Sequence, residues 1–231
     1  KKFKANIITT LFLILPAALS AQNSENAYGI KFSEIVNEAY SKGVFSGNVL
    51  IVRDGKIAFE TSIGNADYDK NIPNTSGTKF QTGSITKFFV KTLIHQLADE
   101  NKISMSDNIG KYLTGFSSDI SGNVTIQQLT DHTSGFGDFL REAMNPDELR
   151  NLKNISDVLT VIRNEKLNFP PGSRVQYSNS AYVILAAIIE KIERKSLEER
   201  LKERIFDKTG MDNTGFKVVN LEADGKAKGY L

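Results

Sequence analysis

The stretch "FQTGSITKFFVKTLIHQL", residues 80 to 97, places Ser84 three residues before Lys87 at the head of a segment whose Phe88, Phe89, Val90, Leu93, Ile94 and Leu97 recur at helical spacing. Residues three apart on a helix share a face, so a helix here sets the Lys87 amine beside the Ser84 hydroxyl. A Ser in the first turn also lies at the positive end of the helix dipole, where backbone N–H groups can stabilise an oxyanion. Taken alone, the string fits two readings: a nucleophile with its base, or an N-cap Ser followed by a solvated Lys. Ser-x-x-Lys arises by chance about once in a few hundred residues, and the chain carries it twice. The other copy, Ser76-Gly77-Thr78-Lys79, lies in the cluster "PNTSGTKF", which reads as loop, where nothing fixes the two side chains relative to each other.

A chain of 231 residues suffices for one sizeable domain, or for a domain with a helical insertion. Its first residues, "KKFKANIITTLFLILPAALSAQ", combine a basic start, an apolar run and small residues at Ala18, Ser20 and Ala21. This is the pattern of a secretory signal peptide over residues 1–21, with a run too short for a membrane span. Export to the periplasm or the medium is expected, with no stable membrane anchor after cleavage. Losing Lys1, Lys2 and Lys4 takes 29 basic residues to 26 against 27 acidic ones, and so balanced a mature chain argues against nucleic acid as a partner. The absence of Cys excludes disulfides, a thiol nucleophile and a lipidated Cys; with two His besides, a transition-metal site has little support. A soluble monomer without metal or cofactor is expected.

Along the mature chain, Phe32, Ile35, Val36 and Ala39 give residues 30–42 a helical apolar face. "SGNVLIVRDGKIAFETSIG" then gives two β-rich runs around Asp54-Gly55, a strong hairpin signal. From Ser84 onward helical patterns alternate with short loops. The expected organisation of residues 22–231 is therefore a sheet part over 28–80 and a mainly helical part over 81–231. Two stretches there have plain readings. The charged run from Glu190 to Lys208, with Glu190/Arg194 and Glu198/Lys202 at i,i+4, reads as a solvated helical face. "AYVILAAII" is too short to span a bilayer and reads as a buried core helix.

Just before that helix stands Tyr177-Ser178-Asn179, the one Tyr-x-Asn in the chain. A phenol and an amide two residues apart, held after "PPG" and pinned by a core helix, can both point into one cleft. A Tyr whose pKa is lowered by a neighbouring ammonium can exchange protons with a Ser hydroxyl and a leaving group. The plainer alternative is a packed Tyr with a satisfied hydroxyl, followed by a helix-capping Asn.

Taken together, "FQTGSITKFF", "ISMSDNIGKYL", "TIQQLTDHTSGFGDF", "FPPGSRVQYSNSAYVILAAIIEKI" and "GMDNTGF" resemble, in this order, the serine β-lactamases and penicillin-recognising enzymes, in particular the class C β-lactamase and D-alanyl-D-alanine carboxypeptidase branch with its esterase relatives. The resemblance covers most of the mature chain. It implies an α/β fold in which an antiparallel sheet with flanking helices meets a helical subdomain, the active site lying between them. It makes Ser84 the acylated nucleophile, Lys87 the amine that draws off its proton, and Tyr177 the acid/base shared between acylation and leaving-group departure. Asn179 would bind the substrate amide and help place Lys87, with Ser178 behind it. The Ser84 N–H would be one of two oxyanion donors. The implied substrate is a small molecule or a peptidoglycan peptide: a β-lactam, a D-Ala-D-Ala peptide or a small ester. The alternative is a penicillin-binding-like sensor that acylates with little or no turnover. His132, in the family's His-Thr-Ser-Gly stretch, is assigned a structural role, and His95 is read as an ordinary helical His.

The family has a third motif, Lys/His-x-Gly, on a strand. Lys208-Thr209-Gly210 supplies the letters, but it follows a charged helix and no strand pattern surrounds it, so Gly210 reads as the αL residue that ends a helix. The expectation is a chain truncated at its C-terminus, lacking the last strands of its sheet, carrying two motifs of three and inactive alone.

Overall fold

The computed structural model describes residues 29–142, 151–216 and 225–230, and the contacts among them form two units. The leader expected over residues 1–21 lies outside the described residues. Residues 29–81 and 225–230 make the first unit, and 82–142 with 151–216 the second. The architecture is α/β, with short antiparallel strands confined to the first unit.

In the first unit, helix α1 (29–41) sets Phe32 against Phe59, with ring centroids 5.8 Å apart. Strands β1 (Gly47–Arg53) and β2 (Lys56–Ile63) pair antiparallel from Gly47/Ile63 to Arg53/Lys56, with an irregularity at Ile51/Val52. Asp54 and Gly55 both take positive φ, 51° and 73°, the combination a tight turn between twisted strands requires. A small second ladder joins β3 (Asn65–Asp67) to β4 (Ile72–Pro73). Residues 225–230, which the sequence pattern assigns to the helical part, pair with this unit instead. Lys79 donates its N–H to the Gly225 carbonyl at 2.7 Å, and Ala227 donates back to the Lys79 carbonyl at 2.9 Å. These are backbone bonds, which side-chain periodicity does not announce.

The second unit is built around helix α7, and among its described residues the longer α-helices are α2 (Thr86–Asp99), α3 (Ser118–Asn123), α4 (Ile126–Thr130), α5 (Phe139–Glu142), α6 (Ile155–Ile162), α7 (Asn179–Glu193) and α8 (Leu197–Leu201). Because α7 is apolar almost all round, it occupies the core, with Ile184, Leu185, Ile188 and Ile189 fully buried. Val90, Leu93, Ile94 and Leu97 of α2 and Leu159 and Ile162 of α6 join the same cluster. Burying such side chains is worth roughly 1.5–3 kcal/mol each, which is what locks the α7 N-terminus in place. Reciprocal capping boxes start α4 (Thr125/Gln128), α6 (Asn154/Asp157) and α8 (Ser196/Glu199). Among the described residues no helix is long and apolar enough to cross a membrane.

The charged run corrects the solvated-face reading in part: Glu198, Lys202 and Lys208 are exposed as expected, but Glu193, Arg200 and Arg204 are not. Arg194 ends the helix at φ 53°, so Glu190 and Arg194 do not continue one face; Glu190 instead accepts the Leu197 N–H at 2.8 Å. Glu193 is nearly buried, and it accepts from Lys102 at 2.7 Å and Arg200 at 3.0 Å, with Arg204 at 3.4 Å. Burial alone would raise the Glu193 pKa, but the bonds from Lys102 and Arg200 and the Arg204 charge bring it below the ordinary value. The chain then makes a π-helical turn, Lys202–Phe206, and ends the helix at Gly210 with φ 68°. Lys208-Thr209-Gly210 is thus a helix terminus.

Candidate active site

Ser84 enters through a tight turn. Gly83 has φ 52°, a left-handed conformation that costs glycine little, and the 3₁₀ turn Gly83–Ile85 feeds directly into α2. Ser84 caps nothing: its Oγ lies 2.6 Å from the Tyr177 hydroxyl. Lys87, one turn on, points its amine back to the Ser84 Oγ at 3.4 Å and to the Asn179 Oδ1 at 2.6 Å. The helical spacing therefore does place the amine beside the hydroxyl.

Tyr177 is held by His132. The His132 carbonyl accepts the Gln176 N–H at 2.9 Å and its Nδ1 accepts the Ser178 N–H at 3.1 Å, so one residue grips the chain on both sides of Tyr177. The two rings also stack, centroids 4.9 Å apart and 28° from parallel. His132 itself has φ 59°, and the chain next to it is clamped to the segment before Tyr177. Asn168 donates to the Gly135 carbonyl at 2.8 Å and Gly172 to that of Thr133 at 2.8 Å. A Cβ on Gly135 would meet the Phe169 carbonyl at 2.3 Å, so this approach needs glycine. His-Thr-Ser-Gly and "FPPG" thus form one support.

The N-terminus of α7 supplies the rest. Ser178, fully buried, caps α7 by accepting the Ala181 N–H at 3.0 Å and donates to the Gly137 carbonyl at 2.7 Å. That frees Asn179 from the capping role. Its Oδ1 faces Lys87 and lies 3.4 Å from the Tyr177 hydroxyl, while its Nδ2 donates to both carboxylate oxygens of Asp138 at 2.9 Å. Ser180 accepts the Phe139 N–H at 3.1 Å and donates to Glu165 at 2.7 Å.

Electrostatics poise the phenol. Burial by itself would raise the Tyr177 pKa, but contacts with Lys87 and Ser84 and the Lys87 charge outweigh it, leaving it below its ordinary value. The Lys87 amine sits 4.8 Å from the Tyr177 ring centroid. His132 is pushed the other way from a catalytic acid: burial first, then the charges of Lys87 and Lys91, lower its pKa, so the neutral ring can accept at Nδ1. A hydroxyl, a phenol with lowered pKa and an amine within hydrogen-bond reach can together activate an oxygen nucleophile and protonate a leaving group.

The structure brings together all four residues singled out by sequence, Ser84, Lys87, Tyr177 and Asn179, and all belong to the second unit. Ser76 stays in a loop, where Thr75 and Thr78 bond each other. Asp138 was not singled out. Its signal was present as the acid of "HTSGFGDF", a stretch otherwise short of charge. Among the described residues no three His, Cys, Asp or Glu converge to hold a metal ion.

Comparison with known proteins identifies the family and the fold. The sequence profile of the family described as Beta-lactamase matches residues 32–231. "Protein flp" of Staphylococcus aureus strain N315 is 29% identical over 205 residues, which cover 87% of this chain and 41% of that protein. The "Teichoic acid D-alanine hydrolase" of Staphylococcus aureus is 28% identical over 219 residues, covering 90% of this chain and 53% of the relative. The chain thus spans about half the length of these relatives. The crystal structure of a penicillin binding protein from Bacillus halodurans superposes with a TM-score of 0.73 at 26% identity, covering 83% of this chain and 60% of that one.

Proposed function

The chain belongs to the beta-lactamase family of serine hydrolases, and from that premise we propose that it hydrolyses an amide or ester through an acyl-Ser84 intermediate. The observation that carries this reading is the Ser84 hydroxyl held 2.6 Å from the Tyr177 hydroxyl and 3.4 Å from the Lys87 amine. Ser84 Oγ attacks the substrate carbonyl carbon while its proton passes to the Lys87/Tyr177 pair. The Ser84 N–H, at the head of α2, stabilises the oxyanion. Collapse breaks the bond to the amine or alcohol, which leaves with a proton from Tyr177. Water then attacks the acyl ester, releasing the acid and restoring Ser84. Asn179 holds Lys87 through its Oδ1, which has a second lone pair to accept a substrate N–H, while its Nδ2 is committed to Asp138.

The substrate is a small molecule or a peptidoglycan peptide. The similarity to a protein named for hydrolysing D-alanine from teichoic acid and to one named for binding penicillin supports D-alanyl esters and β-lactams as the first probes. The leader-like first residues support export as the setting. The test is pre-steady-state kinetics of the whole protein with a chromogenic ester and a chromogenic β-lactam, with the adduct mapped by mass spectrometry. A burst followed by steady release means a hydrolase; a stoichiometric burst that stalls means a sensor. No adduct on Ser84 with either probe overturns the proposal.

A further inference from the structure

Three consecutive residues at the head of α7 bond three consecutive residues of the segment leading into α5: Ser178 to Gly137, Asn179 to Asp138 and Ser180 to Phe139. The outer two bonds run between a hydroxyl and the backbone, and they zip the segments together. The middle one is different. It joins two side chains, and one end of the Asn179 amide belongs to the site while the other belongs to Asp138.

An amide is nearly the same shape either way round, but one end only accepts and the other only donates. Lys87 can only donate to it and the Asp138 carboxylate can only accept from it. With Oδ1 toward Lys87 and Nδ2 toward Asp138, both contacts are satisfied, at 2.6 Å and 2.9 Å. Turned over, the amide would set its NH₂ against the Lys87 amine and its carbonyl against the carboxylate. Asp138 is only 9% exposed, and the Leu140 N–H at 3.2 Å helps hold it. A charged acceptor so placed binds the NH₂ more strongly than water or a neutral group would.

We infer that Asp138 is a positioning residue which fixes the orientation of the Asn179 amide and, through it, holds the Lys87 amine beside Ser84. This rests on the reading of Ser84, Lys87 and Tyr177 as the acylating group. Asp138 touches none of the reacting atoms. Its role also explains why an acid stands at this position in a stretch otherwise built of small and apolar residues.

The experiment is a double-mutant cycle on the whole protein, reading the acylation rate with p-nitrophenyl acetate and a fluorescent penicillin alongside thermal unfolding. Asp138→Ala is expected to slow acylation by ~10-fold or more, since a hydrogen bond to a charged group is lost. In an Asn179→Ala background the same substitution should cost at most a few-fold, because no amide is left to orient. Equal cost in both backgrounds means that Asp138 merely holds the fold, and overturns the inference; so does an Asp138→Ala protein that acylates like wild type. Should Asp138→Ala fail to fold, Asp138→Asn takes its place in the cycle, with a smaller slowing that again vanishes in the Asn179→Ala background. Failure of the functional reading itself would show as a wild-type protein that neither probe acylates. The inference is then decided by the side-chain NH₂ resonances of Asn179, identified by their loss in Asn179→Ala. They should shift on Asp138 substitution, and resonances that do not move overturn it.

Discussion

Among the described residues, the first unit has a single buried apolar side chain, Ala66, whereas the second encloses a cluster that runs from Val90 to Phe206. The difference does not come from a lack of apolar residues in the hairpin. Leu50, Val52 and Ile57 stand 59%, 56% and 63% exposed there, while Ile184, Leu185, Ile188 and Ile189 on α7 are fully buried. A two-stranded ladder has two faces and little to cover them, whereas a helix surrounded by helices buries its whole circumference. The consequence for function is direct. Each unit carries one Ser-x-x-Lys, but only the copy seated on a packed helix has its Ser and Lys held on a third partner. Rigid support, rather than the string of letters, makes a site.

The sharpest way to break this comparison is to remove the two serines separately. Ser84→Ala is expected to abolish acylation, a loss on the order of 10⁶-fold if the residues act as one unit. Ser76→Ala should leave the rate at the wild-type value. Labelling of the whole protein with a fluorescent penicillin or an alkyl phosphonate reads both, and labelling that survived in Ser84→Ala would undo the assignment.

A second contrast concerns the cores. Leu185, fully buried on α7, should cost ~2–5 kcal/mol on truncation to Ala through lost transfer energy and the cavity left behind. Leu50→Ala, on the exposed hairpin, should stay within ~0.5 kcal/mol. Denaturant unfolding with a common slope measures both. Equal losses would mean that the hairpin is covered and that the contrast between the units is smaller than it looks.

Within the second unit, Lys87→Ala and Tyr177→Phe should each slow acylation by ~10²-fold or more, and the double variant should cost far less than the product. Multiplying effects would mean that the amine and the phenol act separately, against the shared contacts both make with Ser84 and Asn179.

Much of this was legible in the chain because it depends on local periodicity. The helical face after Ser84, the Asp54-Gly55 turn, the core helix "AYVILAAII" and the helix-ending Gly210 all follow from spacing and backbone preference. The resemblance then related Ser84 and Lys87 to Tyr177 and Asn179, which lie about ninety residues further along. What could not be read depends on contacts distant in sequence. The fold-back of Arg200 and Arg204 onto Glu193 turns a face that looks solvated into a nearly buried ion cluster, and only the break at Arg194 makes it possible. The bond from Asp138 to Asn179 spans 41 residues and has no periodic signature.

The smallest expected effect, and the finest test of how the packed unit supports its site, is at His132. Its Nδ1 accepts the Ser178 N–H only while the ring is neutral, and burial, with Lys87 and Lys91 nearby, lowers its pKa from the ordinary value near 6.5 against a weaker opposing pull from Asp131. Because the folded value is the lower one, the unfolded chain takes up the proton first as pH falls. The His132 contribution to stability is therefore present above about 6.5 and is lost as pH drops toward and through the lowered folded value. His132→Asn keeps an acceptor oxygen near the place of Nδ1, tolerates the φ of 59° and does not titrate. Between pH 7 and pH 5, thermal unfolding of the wild type should fall further than that of His132→Asn, while their acylation rates at pH 7 differ by only a few-fold. Carboxylates elsewhere contribute to both proteins alike, so the difference isolates the imidazole. Parallel unfolding curves across that range would show that the clasp around Tyr177 does not depend on a neutral His132.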